Sequence, residues 1–360
     1  MRTVQTLDRI DRARGALLGL AVGDAIGTTV EFKPRGSFVP LTDMVGGGPF
    51  NLQAGQWTDD TSMALCLAVS LLEHGFDPAD QMDRYLQWHD EGYMSSNGKC
   101  FDIGGTTSDA LERYRATGNP LAGSKNPSSA GNGSIMRLAP VVIYYQSSLE
   151  QAIKFAAEHS KTTHAAPECL AACRLLAQVL VRAMQGLPKD AVMAPMPQNK
   201  PELTALTAIA QGHYKTKTAA HIKGSGYVVE SLEAAFWCFW QTDNFKDCVL
   251  LAANLGDDAD TTAAVAGRLA GAFYGESGIP APWLQKLTMA TEIGQLAERL
   301  AIGNTVRLQC VETSMGMHSL TPEDRVNHLL NLQLVEMQEA ADDQKASPIH
   351  SFENKNQGDK

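Results

Sequence analysis

Apolar positions along this chain recur mostly at helical spacing, and runs that alternate as strands do are scarce. WTDDTSMALCLAVSLLEHG (57–75) is apolar almost all round after an acidic start, which predicts a buried helix. VVESLEAAFWCFW places Val229, Leu232, Phe236, Phe239 and Trp240 at helical intervals. PECLAACRLLAQVLVRAM and PWLQKLTMATEIGQLAERLAIG read as further helices. VVIYY (141–145) is the single β-rich run, and it suits a helix end as well as a strand. Gly15, Gly19, Gly23 and Gly27 fall every fourth residue, and Gly267, Gly271 and Gly275 repeat the device. With Asp24, Glu31 and Arg268 nearby, these stripes predict two soluble helices packed backbone to backbone in one core, rather than a membrane dimer motif.

Between the helices lie loops rich in Gly, Asn and Ser: TDMVGGGPFNLQAGQ, SSNGKCFDIGGTT and GSKNPSSAGNGS. Loops of this length inside a domain usually carry function. Residues 187–203 read as a surface linker. Thr321-Pro322, with Asp324 completing the cap, starts an amphipathic helix running to about Ala341, and QKASPIHSFENKNQGDK reads as disordered. The pattern predicts one all-α domain with a dispensable tail.

The 360 residues carry a net charge of -10, with acids and bases mixed. Nucleic acid is therefore not an expected partner, since phosphate binding needs a basic patch. Seven cysteines at irregular spacing, without CxxC, make neither a disulfide framework nor a zinc site. Cys169 and Cys173 read as two buried small hydrophobes. RARGALLGLAVGDAIG has the outline of a signal peptide, but Asp8 and Asp11 occupy its basic region and Asp24 ends the apolar run after roughly nine residues. That is well short of the ~18 a membrane span requires. The expectation is a cytoplasmic protein without a membrane partner.

Two acidic clusters change the picture. Thr58-Asp59-Asp60 opens one helix and Asp258-Ala259-Asp260-Thr261 opens another. Capping and the helix dipole account for either alone. Both lead into buried helices, however, and carboxylates gathered near one point repel by ~4 kcal/mol per close pair at an effective dielectric of 20. No Lys or Arg lies within four positions of the first pair. Two divalent cations would balance the four charges, with Thr58 and Thr261 hydroxyls completing the shell. An all-oxygen set selects Mg²⁺ or Mn²⁺ over zinc.

At these residues the chain resembles the ADP-ribosylglycohydrolase family, including its dinitrogenase reductase-activating and arginine-directed bacterial members. The likeness spans about residues 12–305, through GALLGLAVGDAIGTTVEF, GQWTDDTSMAL, FDIGGTT, GNGSIMRLAP and LAANLGDDADTTAAVAGRLAGAFYG in order. It implies a compact, single-domain orthogonal helical bundle over 12–310, followed by a helical extension (311–341) and a disordered tail (342–360). It also implies a binuclear Mg²⁺ or Mn²⁺ centre and removal of ADP-ribose from an ADP-ribosylated protein, with arginine as the preferred acceptor.

The resemblance makes Thr58, Asp59, Asp60, Asp258, Asp260 and Thr261 metal ligands. It makes Asp60, Glu31 and Asp102 catalytic, Asp60 or Glu31 accepting the proton of a metal-activated water. Gly104 and Gly105 join Asp102 in a loop that contacts ribose and diphosphate. Ser129, Asn132, Gly133 and Ser134 form a phosphate loop in which glycine lets backbone N–H groups approach the diphosphate. His164 contacts ribose or phosphate, and Tyr227 stacks on adenine. The residues alone also allow a solvated helix-end Glu31, a turn-forming Asp102, a structural His164 and a core Tyr227. Many relatives have two glycines where this chain has Gly256-Asp257, and Asp257 either adds an acid beside the metals or points to solvent.

Three rival readings remain: the same fold acting on ADP-ribosyl-serine or O-acetyl-ADP-ribose, a two-metal phosphoesterase cutting the diphosphate, and an immunity-type protein that blocks a partner ADP-ribosyltransferase. In the last, MRTVQTLDRIDRAR or the tail would make the contacts, and deletion of residues 1–12 in an inhibition assay would separate blocking from hydrolysis.

Overall fold

The glycine stripes set the architecture of the computed structural model, which describes residues 2–196 and 203–313. Helix Arg2–Gly27 runs antiparallel to helix Ala259–Tyr274. Gly15 faces Gly271, Gly19 faces Gly267, Gly23 faces Ala263 and Gly27 faces Ala259. A Cβ on any of these four glycines would meet a facing carbonyl oxygen at well under 3.0 Å. Gly275, which the sequence pattern counts in the stripe, instead lies just past the second helix, at φ 78° against the Asp11 carboxylate.

Gly23→Ala is expected to lower unfolding stability by about 2 kcal/mol, because the backbone has no side chain to move aside. This outweighs the ~1 kcal/mol that Ala gains in helix propensity. A shift in denaturation midpoint measures it. Unchanged or increased stability would show that the two helices can separate without cost.

The described residues form an all-α fold. Their only ladders are isolated bridges, Gly47–Leu52, Ser124–His164 and Gly131–Tyr227. Helix Asp59–His74 is buried on nearly every side, as its pattern predicts. Leu65, Leu67, Ala68 and Leu71 join the main core with Leu17, Phe236 and Phe245. Met63 and Cys66 face a smaller cluster with Tyr85, Trp88 and Leu111, beneath helices Pro78–Glu91 and Gly105–Thr117.

One open reading is settled and one expectation is corrected. VVIYY lies within helix Ala139–Tyr145 and is buried, so its β-branched residues serve packing. The supposed linker begins with a helical turn, Lys189–Val192, and Val192, Met193 and Met196 are buried in the core. The chain divides after Thr305, and the site described below belongs to the Met1–Thr305 unit. The expected helix from Thr321 and the 342–360 tail lie outside the described residues. No helix among the described residues is long and apolar enough to cross a membrane.

Candidate functional site

Antiparallel packing brings the end of helix Arg2–Gly27, with Asp24, and the following turn, with Glu31, beside the start of helix Ala259–Tyr274. Thr58 and Asp258 occupy the two N-cap positions, yet neither side chain makes a capping bond. At the start of helix Asp59–His74, Asp24 takes over that work from a different helix. Its Oδ1 accepts from Thr58 N and Thr58 Oγ1, both at 2.9 Å, and its Oδ2 accepts from Thr61 N at 3.0 Å and Thr61 Oγ1 at 2.6 Å. In the sequence, Asp24 argues against a signal peptide and a membrane span, and it receives no place in the site. The available signal was its place on the stripe helix, one residue after Gly23 and three before Gly27, where it is fully buried.

Two sets of carboxylates converge, Glu31, Asp102 and Asp260 in one, and Asp59, Asp60 and Asp260 in the other. Within each set the ligand atoms lie within 4.8 Å of one another. Thr261 Oγ1 donates to Asp60 Oδ2 at 3.1 Å, and Asn132 Nδ2 donates to Asp258 Oδ2 at 2.7 Å. Asp60 Oδ1, Asp260 Oδ1 and Asp102 Oδ2 are buried without a hydrogen-bond partner. Buried acceptors in that state are costly, and hard cations satisfy them. The donor set therefore fits metal.

Charge crowding agrees. Burial, followed by the charges of Asp102 and Asp258, pushes Glu31 up to about 10. Burial pushes Asp102 up to about 7, and raises Asp59, Asp60 and Asp260 well above the usual carboxylate range. Arg268, missed from the sequence because it lies two turns along its helix, brings one buried cation into electrostatic range of Asp60. One guanidinium does not neutralise five acids.

Because the raised groups hold protons that the unfolded chain has already lost, metal-free stability falls as pH rises from about 4 through Asp102's value near 7. Metal-free protein should thus melt several degrees lower at pH 8 than at pH 5, and saturating Mg²⁺ or Mn²⁺ should recover the difference while releasing protons. A flat profile, or metal uptake without proton release, would contradict this crowding.

The acids open onto a cleft of about 350 Å³, lined by Glu31, Phe32, Asp59, Asp102, Asp258, Asp260 and Thr261 among others. Gly104 and Gly105 line it too, at the start of helix Gly105–Thr117, and a Cβ on either would meet only open space. Gly131, Asn132 and Gly133 supply another lining loop. His164 lines the cleft while being almost fully buried, and a Cβ on Gly133 would strike its ring. Burial, then Arg137's charge, pushes His164 down to about 3, so a neutral ring supports the glycine loop.

Not every expected residue arrives. Ser134 is turned inward, accepting from Cys173 Sγ at 3.4 Å, and Ser129 closes its own turn on Asn126 at 2.7 Å. Neither lines the cleft. Thr58 and Asp60 are fully buried beneath it. Tyr227 is exposed, so the core reading fails; it stands beside the lining residue Gly226. Asp102 carries φ 62° and Asp257 φ 56°, conformations that Asp tolerates better than most residues. That explains both why glycine suits position 257 and how this chain does without it.

The ADP-ribosylglycohydrolase family model matches residues 5–309. An ADP-ribosylarginine hydrolase Tri1 of Serratia proteamaculans is 48% identical over 294 residues, covering 81% of this chain and 80% of the relative. An ADP-ribosyl-[dinitrogen reductase] glycohydrolase of Rhodospirillum rubrum is 34% identical, covering 78% and 92%. Among solved structures, an ADP-ribosylglycohydrolase-related protein complex superposes with a TM-score of 0.72 at 44% identity, covering 82% of this chain and 99% of that one.

Proposed function

Because this chain belongs to the ADP-ribosylglycohydrolase family and is an ADP-ribosyl hydrolase, we propose that its acceptor is arginine and that it works with two divalent cations, Mg²⁺ or Mn²⁺. The observation that carries the reading is the convergence of orphaned carboxylate oxygens under a glycine-lined cleft. The arginine preference is supported by relatives at 48% and 49% identity that are named for it.

Thr58, Asp59, Asp60, Asp258, Asp260 and Thr261 would hold the metals, which when bound supply Lewis acidity to a water and to ribose hydroxyls. The chain's own residues do the rest. Backbone N–H groups at Gly104–Gly105 and at Gly133 receive the diphosphate, the former with the favourable end of a helix dipole, while those of Gly131 and Asn132 are committed to Ser129 O and Gly226 O. Glu31 lines the cleft where Asp60 does not, so Glu31, in the ionised form that bound cations would favour, is the better placed to take a proton from the attacking water. Water oxygen bonds to C1″ as the C1″–N bond breaks, and that electron pair leaves with the guanidine nitrogen. The neutral guanidine then takes back the proton. The products are ADP-ribose and arginine. Positive charge that develops on the ribose ring faces the carboxylates.

The test is hydrolysis of arginine-ADP-ribosylated protein with Mg²⁺ or Mn²⁺, with and without EDTA. Metal-dependent release of intact ADP-ribose supports the reading. Release only from serine-linked or acetylated substrate would overturn the acceptor, and release of AMP would overturn the bond.

A further inference from the structure

Phe32 follows Glu31 directly and lines the cleft, yet the residue is 66% exposed. Its backbone sits at φ 61°, a conformation that is strained for a bulky L-residue. An exposed ring regains little burial to offset that strain. The conformation is over-determined by its neighbours: Phe32 N donates to Asp257 O at 2.7 Å, and Asp257 N donates to Lys33 O at 2.9 Å. The ring also ends an aromatic row. It lies 6.4 Å from Phe50, edge-on at 74°, and Phe50 lies 5.2 Å from Phe101, the residue before Asp102. The row thus links the neighbours of the two cleft acids, Glu31 and Asp102. Among the described lining residues there is no other Phe, Tyr or Trp.

The geometry points to Phe32 as the specificity platform for the acceptor, its ring stacking on the guanidinium of the ADP-ribosylated arginine. This rests on the arginine reading above. A guanidinium is planar, cationic and weakly hydrated, and it favours an aromatic face beside acids. The leaving nitrogen must come within reach of Glu31, and the adjacent residue in the chain provides the face. A serine hydroxyl or an acetyl ester offers neither a plane nor a charge, so the ring selects among acceptors without touching the reacting bond. Adenine is the other flat group in the substrate, and free ADP-ribose carries it without any acceptor.

Phe32→Gly removes the ring while allowing the positive φ, and Phe32→Trp keeps an aromatic face. Each is compared with wild type in steady-state hydrolysis of arginine-ADP-ribosylated peptide and in calorimetric binding of ADP-ribose. Phe32→Gly is expected to raise KM about tenfold, leave kcat within about threefold and leave ADP-ribose affinity unchanged. Phe32→Trp should behave as wild type. Weakened ADP-ribose binding in Phe32→Gly would make the ring an adenine platform and overturn the proposal. Unchanged KM in an active enzyme would overturn it alone, whereas wild type inactive on arginine-linked substrate would overturn the acceptor reading with it.

Discussion

Asp60→Asn is expected to lower kcat/KM for arginine-linked ADP-ribose by at least about 10³-fold while leaving the metal-free protein as stable as wild type or more so. The two effects come from one charge. Asp60 is fully buried, its Oδ2 is committed to Thr261 at 3.1 Å, and its Oδ1 has no partner. It faces Asp59 and Asp260 in a set whose members repel. An amide of the same shape keeps the Thr261 contact and relieves that repulsion, so melting in EDTA at pH 8 should rise or hold. The stabilisation that Mg²⁺ or Mn²⁺ confers on wild type should shrink, because a neutral amide is the poorer ligand. A residue with a merely structural role would move activity and metal-free stability downward together. Near-normal turnover in Asp60→Asn would show that the centre does not need this carboxylate.

Much of this arrangement is legible in the sequence where the signal is local and periodic. The four-residue glycine spacing names the two helices that touch, and the all-round apolar run names a buried helix between cores. The adjacent acids at two helix starts are also local. Whatever depends on the direction in which a side chain leaves a loop is not legible. Ser134 and Asn132 sit two positions apart in one glycine loop, yet Asn132 reaches Asp258 while Ser134 packs against Cys173. Tyr227 and Val228 are neighbours at one helix start, one exposed and one buried. Arg268 counts as a distant cation along the chain and is a near one in space, because eight residues of helix separate it from Asp260 on a buried face. VVIYY carries β propensity that its surroundings override.

Asp24 is the largest omission, and its substitution is the second large effect expected here. Thr58 has one hydroxyl proton and two carboxylate oxygens near it, Asp24 Oδ1 at 2.9 Å and Asp260 Oδ2 at 3.2 Å. With the nearer bond made, the lone pairs are left toward Asp260 and the place a cation would take. Every contact to Asp24 is a donor, and two of them are backbone N–H groups that cannot reverse, one on each oxygen. Asparagine therefore fails in either orientation, since its NH₂ must face an N–H and cannot accept from the adjoining hydroxyl. Asp24→Asn is expected to weaken Mn²⁺ or Mg²⁺ binding by about 100-fold, the upper range for an outer partner of a ligand. Calorimetric titration of the metal-free protein measures this. Thr58→Val keeps the backbone N–H on Asp24 and removes only the hydroxyl, so it should reproduce most of the loss even if Asp24→Asn folds poorly. Thr61→Val, which touches the other oxygen, should change affinity far less. If all three variants bind metal as wild type does, Asp24 is a helix cap supplied from another helix and takes no part in holding the cation.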